Sequence, residues 1–305
     1  MPSSAAAATE LARIAASFGR LFYVRSCANA WPDRVAVTRG KRTDFCVGDE
    51  VEVRLIGPDQ AVIESLRPRR TALQRSDRWR SKLLAANVDQ AGIVVSGDPP
   101  FSEALLMRML IALESAGIGA ALIANKSDLV EAARAIAGRI AAYRALGYEV
   151  FEIAAGARPR EAREQLGTWL AGRTTLLIGQ SGMGKSTLVN TLVPDADLRT
   201  QAISAALSSG RHTTTFSRMF DVPGEVARDA RIVDTPGFQS FGLAHLSESQ
   251  RMHAMREFAP LPERCRFNNC RHHDEPGCAI RDAASRGEID ALRYRLYLRI
   301  EADAD

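Results

Sequence analysis

The spacing of apolar positions changes near residue 88, and that change divides the chain. Before it come short runs that mix apolar and polar positions: Leu21–Val24, Val35–Thr38, Glu50–Leu55 and Ala61–Glu64. Turn residues separate them at Pro32-Asp33, Gly40 and Gly57-Pro58-Asp59. Runs this closely spaced, with no helical pattern between them, predict a small β-barrel of the OB type over residues 10–72. After residue 88, apolar runs at Ala91–Val95, Ala120–Ala124, Tyr148–Phe151 and Thr174–Ile178 alternate with helical patterns. Glu103–Ser115 carries an apolar face of Ala104, Leu105, Met107, Leu110 and Ile111, and Glu131–Leu146 is Ala-rich and helical. That alternation predicts a doubly wound α/β domain over residues 88–242. Residues 243–305 read as helices around a loop. The fold class is multidomain, and no internal repeat is evident.

Composition narrows the setting. A chain of 305 residues, 46% hydrophobic, has room for two or three folded cores. No run reaches the ~18 apolar residues that span a bilayer, so no membrane partner is expected. The Ala-rich start lacks the basic and apolar regions of a secretory signal. Residues 1–9 read as a flexible tail, and a cytoplasmic protein is expected. The net charge of +4 permits a nucleic-acid partner without requiring one. The charge is uneven. Arg67, Arg69, Arg70, Arg75, Arg78, Arg80 and Lys82 are opposed only by Asp77, with Trp79 among them. Residues 73–87 read as a basic linker. It either binds phosphates and stacks a base on Trp79, or is a solvated connection with Trp79 tucked into a core.

Three motifs carry the chemistry. Gly179, Gln180, Ser181, Gly182, Met183, Gly184, Lys185 and Ser186 fit the phosphate-loop pattern G-x-x-x-x-G-K-S/T. The apolar run before them predicts a strand, and Thr187–Leu192 after them predicts a helix. Glycines let backbone N–H groups curl around phosphate oxygens, and the helix points its positive end at them. Lys185 can reach the β- and γ-phosphates, and Ser186 can hold Mg²⁺. Asn125, Lys126, Ser127 and Asp128 form N-K-x-D after an apolar run. A carboxylate there can accept guanine N1–H and the 2-amino group, which adenine does not offer. The Asn125 amide can meet the N7/O6 side, and the Lys126 stem can cover the ring face. Asp234-Thr235-Pro236-Gly237 is D-x-x-G after a strand. It places a carboxylate near Mg²⁺ and the Gly237 N–H near a γ-phosphate. Glu152–Gly156 is a further candidate loop behind the base.

The order of the motifs is unusual. N-K-x-D precedes the phosphate loop, whereas ordinary GTPases have it last. Each motif is a loop at the carboxyl end of a strand, so a chain cut and rejoined at surface loops keeps the site. The α/β domain therefore reads as a circularly permuted GTPase domain that takes GTP and GDP.

Cys265, Cys270, His272 and Cys278 form C-x4-C-x-H-x5-C. Three thiolates and an imidazole suit tetrahedral Zn²⁺ with no open position, a structural site. Free surface thiols, a disulfide, or His273 in place of His272 are the alternatives. Cys27 and Cys46 are isolated and are expected in cores.

Taken together, these residues resemble the bacterial ribosome small-subunit-dependent GTPase family (RsgA, also called YjeQ). The resemblance rests on Asn125–Asp128 preceding Gly179–Thr187, then Gly210-Arg211-His212-Thr213-Thr214-Thr215, Asp234–Gly237 and the Cys/His cluster, with Asn87–Gln90 also typical. It implies an N-terminal OB barrel, a permuted P-loop GTPase domain and a zinc-binding helical C-terminal domain. It also implies a monomer that binds the small ribosomal subunit and its rRNA in late maturation, with hydrolysis driving release. A Ras-like enzyme orients its attacking water with a Gln after D-x-x-G. Here that position is Phe238, which cannot. The resemblance points to His212 as catalytic; a loop-shaping or rRNA-contacting His212 is the alternative. One nearby Thr is expected to meet Mg²⁺ or the γ-phosphate, Thr214 ahead of Thr213 and Thr215. The competing function is an rRNA-binding assembly module that keeps GTP as a structural ligand with negligible turnover.

Overall fold

A computed structural model describes residues 9–40, 42, 44–77, 80–194, 196 and 216–302. Arg78, Trp79 and residues 199–215, including His212 and Thr214, lie outside the described residues. Among the described residues, no helix is long and apolar enough to cross a membrane.

The N-terminal strands are β1 (Glu10–Phe18), β2 (Leu21–Ser26), β3 (Arg34–Thr38), β4 (Glu50–Leu55) and β5 (Gln60–Leu66). They run in the order β1-β2-β3-β5-β4, and β1 also pairs with β4, so the sheet closes on itself. The β3–β5 pairing is parallel and the others are antiparallel. The result is the expected five-stranded barrel, filled by Ile14, Phe22, Val24, Phe45, Val51, Val53 and Ile63. Each of these side chains contributes roughly 1.5–3 kcal/mol by leaving water. Strand β1 escaped the sequence reading. Its inward positions are mostly alanine, a poor strand former, and a bulge between Ile14 and Ala16 breaks the alternation.

The basic segment is not an open linker. It contains an antiparallel hairpin of β6 (Ala72–Ser76) and β7 (Ser81–Ala86). Leu73, Leu84, Ala85 and Ala86 are buried, a pattern that the density of charge had obscured. Several of its cations are used internally. Arg67 pairs with Glu52 at 2.7 Å, Arg69 with Asp49 at 2.6 Å, and Arg70 with Asp89 at 3.0 Å. Cys46 is buried as expected. Cys27 is exposed instead, because it follows β2 in a turn whose inward position is taken by Ser26.

The α/β domain comprises β8 (Gln90–Val95), α1 (Glu103–Ser115), β9 (Gly119–Ala124), α2 (Val130–Ala145), β10 (Glu149–Glu152), α3 (Pro159–Leu170), β11 (Thr174–Gly179), α4 (Lys185–Leu192), β12 (Arg218–Asp221) and β13 (Arg231–Asp234). The order is β10-β9-β8-β11-β13-β12, parallel except for β12, which also touches the barrel through Ala16 and Arg218. Strands β8 and β11 are buried along their whole length, as central parallel strands must be. The C-terminal helices α5 (Glu248–His253), α6 (Ala279–Ser285) and α7 (Ala291–Ala302) complete the chain. Met252, Phe258, Tyr297 and Ile300 share one apolar core with α1. Arg251–Glu301 and Arg293–Glu257 add two nearly buried ion pairs, so losing either partner would strand a charge.

Candidate functional site

The three motifs converge. N-K-x-D follows β9, the phosphate loop follows β11 and D-x-x-G follows β13, and these strands run parallel in the order β9-β8-β11-β13. Their carboxyl ends form one edge of the sheet, where open α/β sheets hold ligands. Chain order does not matter to that edge, which is why a permuted sequence still builds it.

The phosphate loop needs its glycines. Gly182 and Gly184 have φ values of 88° and 84°, in the left-handed region. A Cβ on Gly184 would stand 2.4 Å from Asn125 Nδ2, and one on Gly179 would stand 2.5 Å from the Val94 carbonyl. Met183 anchors the loop with a wholly buried side chain, while Ser181, Gly182, Ser186 and Thr187 are exposed at its mouth. Gln180 accepts a hydrogen bond from the Ser102 amide at 2.9 Å, which ties the loop to the start of α1. Helix α4 begins at Lys185 with its first turn at the loop.

N-K-x-D is braced on this loop. The Asn125 side chain is buried, donates to Met183 O at 3.1 Å and accepts from the Ala155 amide at 3.0 Å. Its amide therefore joins three loops rather than standing free for a base. Lys126 has a positive φ of 62°, and its ammonium donates to the carbonyls of Asp98 and Gly182 at 2.6 and 3.0 Å. Ser127 meets Arg158 through its hydroxyl at 3.0 Å and Ile153 O through its amide at 3.0 Å. The candidate loop Glu152–Gly156 is thus brought against N-K-x-D, with Gly156 packed toward Thr187. Asp128 is exposed and makes no ion pair among the described residues, so its carboxylate is available at the rim. The contributions of Asp98 and Arg158 had no motif to announce them.

On the other side, Lys185 is ion-paired with Asp234, and both side chains are largely buried. The Phe238 amide donates to Gly179 O at 3.0 Å and the Ser181 amide to Phe238 O at 3.3 Å, so D-x-x-G lies flat on the phosphate loop. Gly237 is exposed, and a Cβ there would come within 2.9 Å of the Ser181 Cα. The Phe238 ring is buried, 5.4 Å from the Phe241 ring, with the Arg75 guanidinium 5.4 Å from its centroid. Packed in this way, it takes no part in orienting water.

The second cluster also assembles. One donor atom from each of Cys265, Cys270, His272 and Cys278 lies within 4.8 Å of all the others. Four donors around a tetrahedral ion stand about 4 Å apart or less, so a small closure completes the shell. His272 Nδ1 is 3.5 Å from Cys278 Sγ and 3.7 Å from Cys265 Sγ, while Nε2 faces Met252 Sδ at 3.1 Å. His272 is buried and His273 exposed, which decides between them. Burial lowers the His272 pKa and favours the neutral imidazole that a metal needs. Burial, with the neighbouring thiols Cys278 and Cys265 adding to it, pushes the Cys270 thiol up to about 12, so metal must displace a proton there. Cys278 caps α6 and accepts from the Arg281 amide at 3.4 Å.

Comparison with known proteins agrees with this architecture. A family model described as RsgA GTPase matches residues 66–244. The small ribosomal subunit biogenesis GTPase RsgA of Burkholderia pseudomallei (strain 668) is 48% identical over 96% of this chain and 91% of its own. Its namesake in Paraburkholderia xenovorans (strain LB400) is 48% identical over 87% and 84%. YjeQ from Thermotoga maritima superposes with a TM-score of 0.73 at 24% identity, covering 97% of this chain and 99% of its own. YloQ, described as a circularly permuted GTPase, gives 0.69 at 23% identity over 100% and 98%. The structural likenesses carry the fold alone. With its motif loops on one sheet edge, its family match over more than half its length and relatives nearly half identical, the chain belongs to the RsgA GTPase family.

Proposed function

We propose that this protein hydrolyses GTP to time its own departure from the maturing small ribosomal subunit. The observation that carries the reading is the joining of N-K-x-D, the phosphate loop and D-x-x-G through Asn125 and Phe238 into one pocket edge, in a chain 48% identical to named small-subunit biogenesis GTPases. Asp128 accepts the two donors of guanine. The backbone from Gly179 to Thr187 wraps the phosphates, and Lys185 neutralises the β- and γ-oxygens. Ser186 and Thr214 would hold Mg²⁺, with Asp234 supplying a nearby carboxylate, and the Gly237 amide would meet the γ-phosphate. The Lys185–Asp234 ion pair beside the phosphate loop supports this reading. With the Phe238 ring buried against Phe241, His212 positions the attacking water and takes its proton. Cys265, Cys270, His272 and Cys278 hold a structural zinc. The small subunit and its rRNA are the partner, and the protein acts as a cytoplasmic monomer.

Sedimentation with purified small subunits tests the partner. The protein should pellet with them in a non-hydrolysable GTP analogue and stay in the supernatant with GDP. Equal sedimentation in both nucleotides would mean that nucleotide state does not control release. The assembly-module alternative predicts binding without turnover; the family match and the relatives' description as GTPases favour hydrolysis.

A further inference from the structure

The hairpin β6–β7 grips the segment that follows D-x-x-G, and most of the grip passes through one residue. Ser76, at the end of β6, is buried. Its amide donates to Gly242 O at 3.0 Å, and its carbonyl accepts from the Ala244 amide at 3.2 Å. Its hydroxyl accepts from the His245 amide at 2.7 Å, which leaves the O–H free to donate to His245 Nδ1, also at 2.7 Å. Ser76 and Leu243 therefore pair as a parallel bridge, an extra rung on the hairpin edge. The fit is tight: a Cβ on Gly242 would stand 2.1 Å from Ser76 O. Next to it, Arg75 donates to Ser240 O at 3.4 Å and covers the Phe238 ring. Phe238 is in turn hydrogen-bonded to Gly179 and Ser181 of the phosphate loop. At its far end the hairpin is fixed to the barrel, where the Ala86 amide donates to Val47 O at 2.9 Å and Asn87 Nδ2 to Gly48 O at 3.0 Å.

We propose that Ser76 is a positioning residue for GTP hydrolysis, holding residues 238–245 on the hairpin so that the Gly237 amide is preset against the γ-phosphate. The chemistry favours this over simple tethering. The Gly237 loop serves only the γ-phosphate, whereas GDP is held by the phosphate loop and N-K-x-D. Loosening the grip therefore costs the triphosphate state and spares the diphosphate state. The same grip makes the barrel sensitive to the nucleotide, because two states of one segment couple whatever is attached to it. The inference rests on the reading of Gly237 as the γ-phosphate-facing amide.

The test measures affinities for GDP and a non-hydrolysable GTP analogue, together with single-turnover hydrolysis, on the full chain. Ser76→Ala removes the hydroxyl and leaves the His245 amide unpaired. Affinity for GDP should stay within about twofold, while affinity for the analogue and the hydrolysis rate should each fall roughly five- to tenfold. Ser76→Thr, which keeps the hydroxyl, should restore both. Arg75→Ala, which loosens Phe238 without touching the buried serine, should shift the same ratio if Ser76→Ala does not fold. Equal losses for GDP and analogue, or no change in either, overturns the proposal. Gly237→Ala separates this failure from failure of the underlying reading. If analogue and GDP affinities keep their wild-type ratio in Gly237→Ala, the γ-phosphate assignment itself is wrong.

Discussion

On the proposed mechanism Asp128 serves recognition and His212 the transition state, so their loss should have different signatures. Asp128 stands exposed at the rim with no ion-pair partner among the described residues. Asp128→Asn should weaken GTP binding and gain xanthosine triphosphate, whose 2-oxo group needs a donor. Competition binding with both nucleotides reads this directly, and an unchanged preference for GTP in the folded variant would refute the guanine assignment. His212→Ala should bind GTP nearly normally and lose about 10²–10⁴-fold in subunit-stimulated turnover, as expected for removal of a general base. Lys185→Ala should harm affinity and turnover together, because its ammonium serves bound phosphate in both states. The comparison requires affinity and rate on the same preparation. Full stimulated activity in His212→Ala would return the histidine to a loop-shaping or RNA-contacting role.

Elements differ in how plainly the sequence announced them. The phosphate loop, N-K-x-D, D-x-x-G and the Cys/His cluster were legible because their chemistry demands particular residues at particular spacings. Strand β1 was not, because alanines at Ala12, Ala15 and Ala16 blur the period-two signal and a bulge shifts it. The hairpin was hidden by the charge around it, including Arg67, Arg69 and Arg70 just before it, whose partners Glu52, Asp49 and Asp89 lie on other elements where local pattern does not reveal them. Asn125 was identified but not for its bracing role, since hydrogen bonds to Met183 and Ala155 depend on tertiary contact. The metal loop is the element whose stability is most exposed to test. With the zinc proposed above in place, the metal's binding free energy is folding free energy for this loop. One zinc per chain is expected by elemental analysis of reduced protein, and Cys265→Ala should disorder residues near 265–278 while GTP binding persists. Metal-free protein with an ordered C-terminal lobe would contradict this.

At the scale of the whole molecule, permutation places the barrel and the zinc lobe at either end of one nucleotide-sensing unit. The barrel reaches the phosphate loop through the hairpin, Ser76 and Phe238, and the C-terminal helices pack on α1, whose first turn is tied to Gln180. Both outer parts thus touch elements that border the phosphate loop, an arrangement that, on the proposed function, suits reporting nucleotide state to a large partner. The three-part order was readable because strand-end loops keep their site whatever their sequence order. The contacts between the parts were not, because they join residues from about forty to well over a hundred positions apart, such as Ala86 with Val47 and Ser76 with His245. The central claim is that this chain is a GTP hydrolase set in motion by the small subunit. Phosphate release measured with and without purified small subunits, at saturating GTP, tests it most directly. Slow release alone that climbs with added subunits until it saturates is the predicted result. No release under either condition, from protein that binds GTP and the subunit, would contradict it and leave GTP as a structural ligand.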